Sequence, residues 1–285
     1  MKRILITGKN SYIGNSFEQW IADDDNFYVE KISVRDDNWK NLNFSTFDVV
    51  FHVAGIAHVS SDPKMEERYY KVNRDLTIEV ANKAEKDGVK QFIFMSSIIV
   101  YGDSDKSDGT ISISTIPKPS NFYGNSKLQA EEGIANLQAD NFNVAIIRPP
   151  MIYGKGSKGN YPKLAKLAKI TPVFPNFSNK RSMLHIDNLC EFIKLIIVNN
   201  EKGLFFPQNK EYVCTSEMVT LIARCSSSSI RLTKIFNPAI KSLLKFELVN
   251  KVFGNLVYEQ KMSIYKDNYQ IRNLEESIKL TERVN

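Results

Sequence analysis

The chain has 285 residues, 42% of them apolar and 25% charged, which is ordinary soluble globular usage and excludes a disordered or low-complexity protein. Its net charge of +6 is mild and spread along the sequence; with no repeated basic–aromatic pattern, it argues against a nucleic-acid partner. Three cysteines (Cys190, Cys214, Cys225) without C-x-x-C spacing argue against a disulfide framework or a metal site and suit a reducing cytoplasm. No apolar run reaches the ~20 residues that span a bilayer, and the start "MKRILITGKN" lacks a signal-peptide core, so a soluble, cytoplasmic chain without membrane insertion is expected.

"RILIT" predicts a first strand that runs into a turn bearing Gly8 and Gly14. A dinucleotide turn needs one glycine for tightness, one for close approach to the pyrophosphate and one for helix–strand packing. Gly8 and Gly14 suit the outer roles, whereas Ser11 stands in the middle one. Gly8, Asn10, Ser11, Tyr12, Ile13 and Gly14 are therefore candidate cofactor contacts. "FYVEKISV" is the second strand, followed by Arg35 and Asp36. An acid there would hold the ribose of NAD, and an arginine the 2′-phosphate of NADP, so Arg35 favours NADP while Asp36 keeps NAD open.

"FDVVFHVAG" predicts a third strand. A helix follows over 64–88, with Val72, Leu76, Val80 and Ala84 on one face and Gly88 as its stop. "KQFIFMSSIIVYG" reads as a near-continuous buried strand with Ser96 and Ser97 near its carboxyl end, and a further helix is predicted over 125–140. "FNVAIIRPPMIYG" is the next strand, and 186–200 another helix. Apolar strands alternating with helices predict an α/β fold, a Rossmann-like doubly wound parallel sheet. Residues 1–150 with about 184–200 are expected to form the NAD(P)-binding domain. Residues of about 151–183 and 201–285, where Gly, Lys and Pro thicken and elements shorten, are expected to form a smaller substrate-binding lobe.

Ser97 on a strand end, then Tyr123 and Lys127 four apart on one helix face, make a coherent proton-transfer group. Tyrosine alone has a pKa of ~10, and a three-unit drop takes roughly 4 kcal/mol, which a neighbouring ammonium and a positive nicotinamide could supply. Ser97 would hold the substrate oxygen. His52, His58 and His185 have no metal-like spacing, and His52 is expected to pack beside the cofactor. Asn73 has poor propensity for its place inside a helix.

Together these segments resemble the extended short-chain dehydrogenases/reductases, the NAD-dependent epimerase/dehydratase group acting on nucleotide sugars. "TGKNSYIG" resembles that family's T-G-x-x-G-x-x-G turn apart from Ser11; "SSIIVYG" and "YGNSK" resemble its serine segment and Tyr-x-x-x-Lys pair. "FHVAGIAHV" looks like the segment lining the cofactor, which implies contacts from Ala54, Gly55 and Ile56. "YYKVN" resembles the passage whose asparagine, here Asn73, orders the active-site backbone near the serine strand. "RPPMIYGKG" resembles the passage between lobes, adding Pro149; "KGNYPKL" and "KRSMLHIDNL" resemble segments holding the nucleotide diphosphate, implicating Asn160 and Arg181. The catalytic residues implied are Ser97, Tyr123 and Lys127.

Dehydratases of this family carry Asp-Glu after the catalytic Ser/Thr. Here Ser97 is followed by Ile98-Ile99, which cannot do acid–base work. Two reactions remain: a 4-ketoreductase using NADPH, as for UDP-4-keto hexoses of surface polysaccharides, or a UDP-sugar 4-epimerase retaining NAD. Arg35 and the short C-terminal lobe favour the reductase. A non-catalytic NADP-sensing or partner-binding protein is the alternative of another class, and the presence of both Tyr123 and Lys127 argues against it. The resemblance also implies a homodimer paired through the 65–87 helix and the helix after Tyr123.

Overall fold

The computed structural model describes residues 1–57, 62–102 and 108–283; His58 lies outside them. In chain order the elements begin β1 (Lys2–Thr7), α1 (Tyr12–Trp20), β2 (Phe27–Ile32), β3 (Val49–His52), α2 (Glu66–Tyr69), a π-helical segment (Tyr70–Asp75), α3 (Leu76–Lys86) and β4 (Gln91–Met95). Next come β5 (Thr110–Ile111), α4 (Phe122–Ala135), β6 (Asn143–Ile147), β7 (Met151–Tyr153), α5 (Asn160–Ile170), β8 (Val173–Pro175), β9 (Met183–His185) and α6 (Ile186–Val198). The chain closes with β10 (Gly203–Phe205), α7 (Thr215–Cys225), β11 (Arg231–Thr233), α8 (Asn237–Leu243), α9 (Glu247–Phe253), β12 (Val257–Tyr258) and α10 (Leu274–Glu282).

Six strands form one sheet in the order β10-β6-β4-β3-β1-β2, every pair parallel. Strand periodicity explains its two cores. Ile4 and Ile6 face one side with Phe51, Ile93 and Ile147, against Phe17 of α1 and Leu189, Ile193 and Ile197 of α6. Leu5 faces the other with Val50, Phe92 and Phe94, against Val80 and Ala84 of α3 and Ala130 and Ile134 of α4. With both faces covered, the strands read as uninterrupted apolar runs. The sheet therefore matches the doubly wound expectation. A separate core in the second lobe joins Tyr153, Tyr161, Phe174, Met218, Ile222 and Ile278.

Several boundaries differ from the sequence reading. The "KQFIFMSSIIVYG" run is a strand only to Met95; Ser97 then caps a 3-10 turn over Ile98–Tyr101. The "FNVAIIRPPMIYG" run splits into β6 and β7, because Pro149 and Pro150 have no N–H to give a ladder. The 64–88 helix is broken by its π turn. Its buried face is Tyr69, Asn73, Thr77, Val80 and Ala84, while Val72 and Leu76 are only half-buried. The wider π turn places Asn73, rather than Val72, against the interior, a common device at functional sites. Finally, Gly203–Phe205, which the sequence assigned to the smaller lobe, is β10, the edge strand of the large sheet beside β6.

Gly14 sets how closely α1 approaches β1. A methyl group there would lie 2.9 Å from Ile6 Cγ2 and 3.3 Å from Val53 Cγ2. Gly14→Ala is expected to lower the urea-unfolding stability by about 1–3 kcal/mol, the usual cost of overpacking a tight contact.

Candidate active site

The turn after β1 is built for close approach. Gly8 has φ +102°, and a Cβ there would lie 3.1 Å from the Ala54 nitrogen. Ser11 is the N-cap of α1, its Oγ accepting the Gly14 N–H at 2.9 Å. The middle position of the turn therefore serves the helix start, a role that glycine cannot fill with a side chain. The N-terminus of α1, with its free amides, opens on the cavity wall at Ser11, Tyr12 and Ile13, where an anionic pyrophosphate would be stabilised.

Asn73 is fully buried and fully used. Its Oδ1 accepts the Ile56 N–H at 2.8 Å, and its Nδ2 donates to Ile56 O at 3.0 Å and to Ser126 Oγ at 3.2 Å. It thus fixes the cavity-lining loop after β3 and ties it to α4. Gly55 lies between these partners, where a Cβ would be 3.1 Å from Asn73 Oδ1 and 3.3 Å from Lys127 Nζ.

Ser97, Tyr123 and Lys127 line one cavity of about 760 Å³ at the carboxyl edge of the sheet, shared with the second lobe. Ser97 and Tyr123 face each other in this cavity, and Tyr69 packs edge-on against Tyr123 at 5.7 Å. Burial pushes the Tyr123 phenol up to about 12, while the Ser97 hydrogen bond acts the other way. Lys127 is buried, donates to Met95 O at 2.9 Å and sits 4.6 Å over the Phe94 ring. Burial pulls its pKa down to about 8, and the nearby Glu131 carboxylate pushes it up. In the free protein Ser97 eases ionisation of Tyr123, and the Lys127 amine is held by the Met95 carbonyl.

Behind this group lies a buried polar network. Glu131, one turn beyond Lys127, pairs with Arg148; Arg148 Nη1 donates to the Tyr101 hydroxyl at 2.8 Å, and Ser96 donates to Glu131. The network pins α4 to the ends of β4 and β6. Removing one partner from such a pair strands a buried charge.

At the far side, Asn160 at the start of α5 and Arg181 line the same cavity. The Arg181 Nη1 donates to Gly254 O at 3.2 Å, no carboxylate pairs with it among the described residues, and burial lowers its pKa. A cation whose side-chain hydrogen bonds among the described residues go only to carbonyl oxygens is suited to an anion arriving from outside.

Of the residues singled out from sequence, Ser11, Tyr12, Ile13, Gly55, Ile56, Ser97, Tyr123, Lys127, Pro149, Asn160 and Arg181 line the cavity. Gly8, Asn10, Gly14, Ala54 and Asn73 do not line it; of these, Gly8, Gly14 and Asn73 shape the backbone around it. Arg35 lies exposed beyond β2, outside the cavity, and Asp36 Oδ1 accepts the Asn38 N–H at 3.1 Å. His52 is a core residue, not a cavity one. It bridges Thr7 Oγ1 at 2.7 Å and Thr77 Oγ1 at 3.0 Å, and burial pulls it down to about 3. His185 caps α6. The sequence reading missed Glu131, Lys158 and Lys251; the four-residue step from Lys127 was the available signal for Glu131.

A parallel Rossmann sheet whose carboxyl edge gathers a Ser–Tyr–Lys group and a capped glycine turn defines the nicotinamide-dependent short-chain class. Residues 4–206 match the model of the NAD dependent epimerase/dehydratase family, and the chain belongs to that family. It is similar to the UDP-glucose 4-epimerase of Vibrio cholerae, 33% identical over 247 residues, covering 78% of this chain and 75% of that one. It is also similar to the N-acetyl-alpha-D-glucosaminyl-diphospho-ditrans,octacis-undecaprenol 4-epimerase of Escherichia coli O157:H7. That match is 32% identical over 218 residues, 70% of this chain and 64% of the relative, so the chain spans under two thirds of it. In fold it resembles the UDP-glucuronic acid 4-epimerase of Bacillus cereus in complex with NAD, with TM-score 0.72 and 16% identity over 98% of this chain and 95% of that one.

The buried lysine makes stability depend on pH. Between pH 8 and 10.5 the unfolded chain keeps a proton that the folded one gives up, so stability rises with pH across that window. Below it the amine destabilises the fold by about 3 kcal/mol. Lys127→Met removes this cost but leaves Met95 O unpaired, at about 1–3 kcal/mol. Denaturant titration is expected to show a net gain on the order of 1 kcal/mol at neutral pH and a flattened alkaline slope.

Proposed function

We propose that the protein is a nicotinamide-dependent 4-epimerase of sugar diphosphates, with UDP-hexoses and UDP-N-acetylhexosamines as the first candidates. The observation that carries this reading is the gathering of Ser97, Tyr123, Lys127, the start of α1 and Arg181 on one cavity. The direction of the reaction rests on the two relatives described above, each over 30% identical across 70% or more of this chain and both named as 4-epimerases. They outweigh the sequence features that favoured a reductase.

A nicotinamide cofactor held here would supply the reversible acceptance of hydride from the sugar's C4. Ser11, Tyr12 and Ile13 would hold its pyrophosphate, and Gly55 and Ile56 would flank it. Tyr123 takes the proton of the C4 hydroxyl and later returns it. Ser97 donates to the phenolate and orients the sugar oxygen. The Lys127 ammonium supplies the positive charge that brings a phenol held near 12 into working range. Arg181 and Asn160 hold the diphosphate, fixing C4 before Tyr123. The E. coli relative's name carries a polyprenyl diphosphate instead of a nucleotide, so a lipid carrier on that diphosphate is a candidate as well.

A second reading, an NADPH-dependent 4-ketoreductase, is favoured by one observation. Arg35 is exposed beyond β2 with no ion pair among the described residues, while Asp36 is engaged as a cap. Two measurements separate the readings: nucleotide released on denaturing the purified protein, and interconversion of UDP-glucose with UDP-galactose or of their N-acetyl counterparts. Retained NAD with interconversion is expected, and Tyr123→Phe should lower kcat by about 10²–10⁴-fold. Consumption of NADPH on a UDP-4-keto sugar without interconversion establishes the reductase. Unchanged turnover in Tyr123→Phe removes the mechanism.

A further inference from the structure

We propose that residues 234–251 form a membrane-contact element that seats the mouth of the active-site cavity on an anionic lipid surface. Of the fifteen large apolar side chains exposed among the described residues, five fall in this short stretch: Ile235, Phe236, Leu243, Phe246 and Leu248. They include both exposed phenylalanines; Ile235 is 78% and Leu248 80% accessible. α8 and α9 are short and turn inward little more than Ile240 and the cavity-lining Leu244, Asn250 and Phe253. This stretch therefore exposes a cluster of apolar side chains that nothing among the described residues covers. Scattered exposed apolar residues need no explanation, whereas a cluster with aromatic members marks a contact surface.

The charge pattern selects the occupant. Lys234, Lys241, Lys245 and Lys251 are interleaved with the apolar residues, and the one acid, Glu247, is ion-paired with Lys251. Four lysines against one glutamate leave +3. A second copy docking here would set +3 against +3. An anionic bilayer instead accepts both features, apolar side chains at the acyl boundary and ammonium groups at the headgroups. Lys234 and Lys241 also line a shallow hollow with Asn237, and that hollow shares Phe177 and Ser178 with the main cavity. Lys234 and Lys241 thus adjoin the cavity, and a substrate with an apolar carrier could keep that carrier in the bilayer.

The test is co-sedimentation of the 285-residue chain with vesicles of phosphatidylcholine, with and without phosphatidylglycerol. Wild type is expected to sediment with the anionic vesicles and to be released by salt. The Phe246→Glu/Leu248→Glu double variant should bind them at least about tenfold more weakly while melting at the wild-type temperature, since both side chains are exposed. No sedimentation of wild type, equal binding to both vesicle types, or unchanged binding of the double variant would overturn the proposal. So would a wild-type dimer that the double variant dissociates in the absence of vesicle binding. Vesicle binding is read without substrate, so its failure leaves the proposed reaction standing.

Discussion

The placement of the Lys127 amine in the interior is the constraint around which the site is arranged. An ammonium cannot be buried without a partner that satisfies it, and here Met95 O, the Phe94 ring and the field of Glu131 share that task. Glu131 is itself buried and needs Arg148, whose guanidinium needs Tyr101. The result is a polar chain inside an apolar sheet edge, in which each member is satisfied by the next. Its effect is to hold α4, and with it Tyr123, at a set distance from the ends of β4 and β6.

Much of this was legible in the sequence where local physics decides alone. The parallel sheet announced itself because strands covered on both faces carry unbroken apolar runs, and the Tyr123–Lys127 step is a property of helical pitch. Gly8 could be placed as well, since few residues tolerate its φ of +102°. What failed depended on tertiary context. The π turn that faces Asn73 inward leaves no mark in a 3.6-residue pattern. His52 sits on a strand end, as a cofactor neighbour would, yet Thr7 and Thr77 enclose it. Ser11 looked like a lost glycine because the motif was compared with a pattern; its hydroxyl's work on Gly14 is visible only once the helix start exists. The Met95 carbonyl that holds the Lys127 amine could not be read from the sequence either, since proximity to Tyr123 along the chain says nothing of it.

The two ends of the cavity differ in character. The sheet edge is rigid and densely hydrogen-bonded, with Asn73, Glu131 and Ser97 each holding more than one element. The opposite wall comes from α9 and the residues after it, where Arg181 leans on the Gly254 carbonyl and lacks a carboxylate. Chemistry that tolerates little displacement belongs to the first wall, and recognition of a charged, extended group to the second.

The return of the chain to the large sheet has a consequence for how the molecule can be divided. β10 follows α6 and hydrogen-bonds to β6, with Tyr265 and Tyr269 packing on the same core from the last fifty residues. A fragment ending at α6 would bare the outer rim of β6, leaving its amides and carbonyls open to pairing with foreign strands. Limited proteolysis between the lobes would therefore yield sticky, mutually dependent pieces in place of two independent halves.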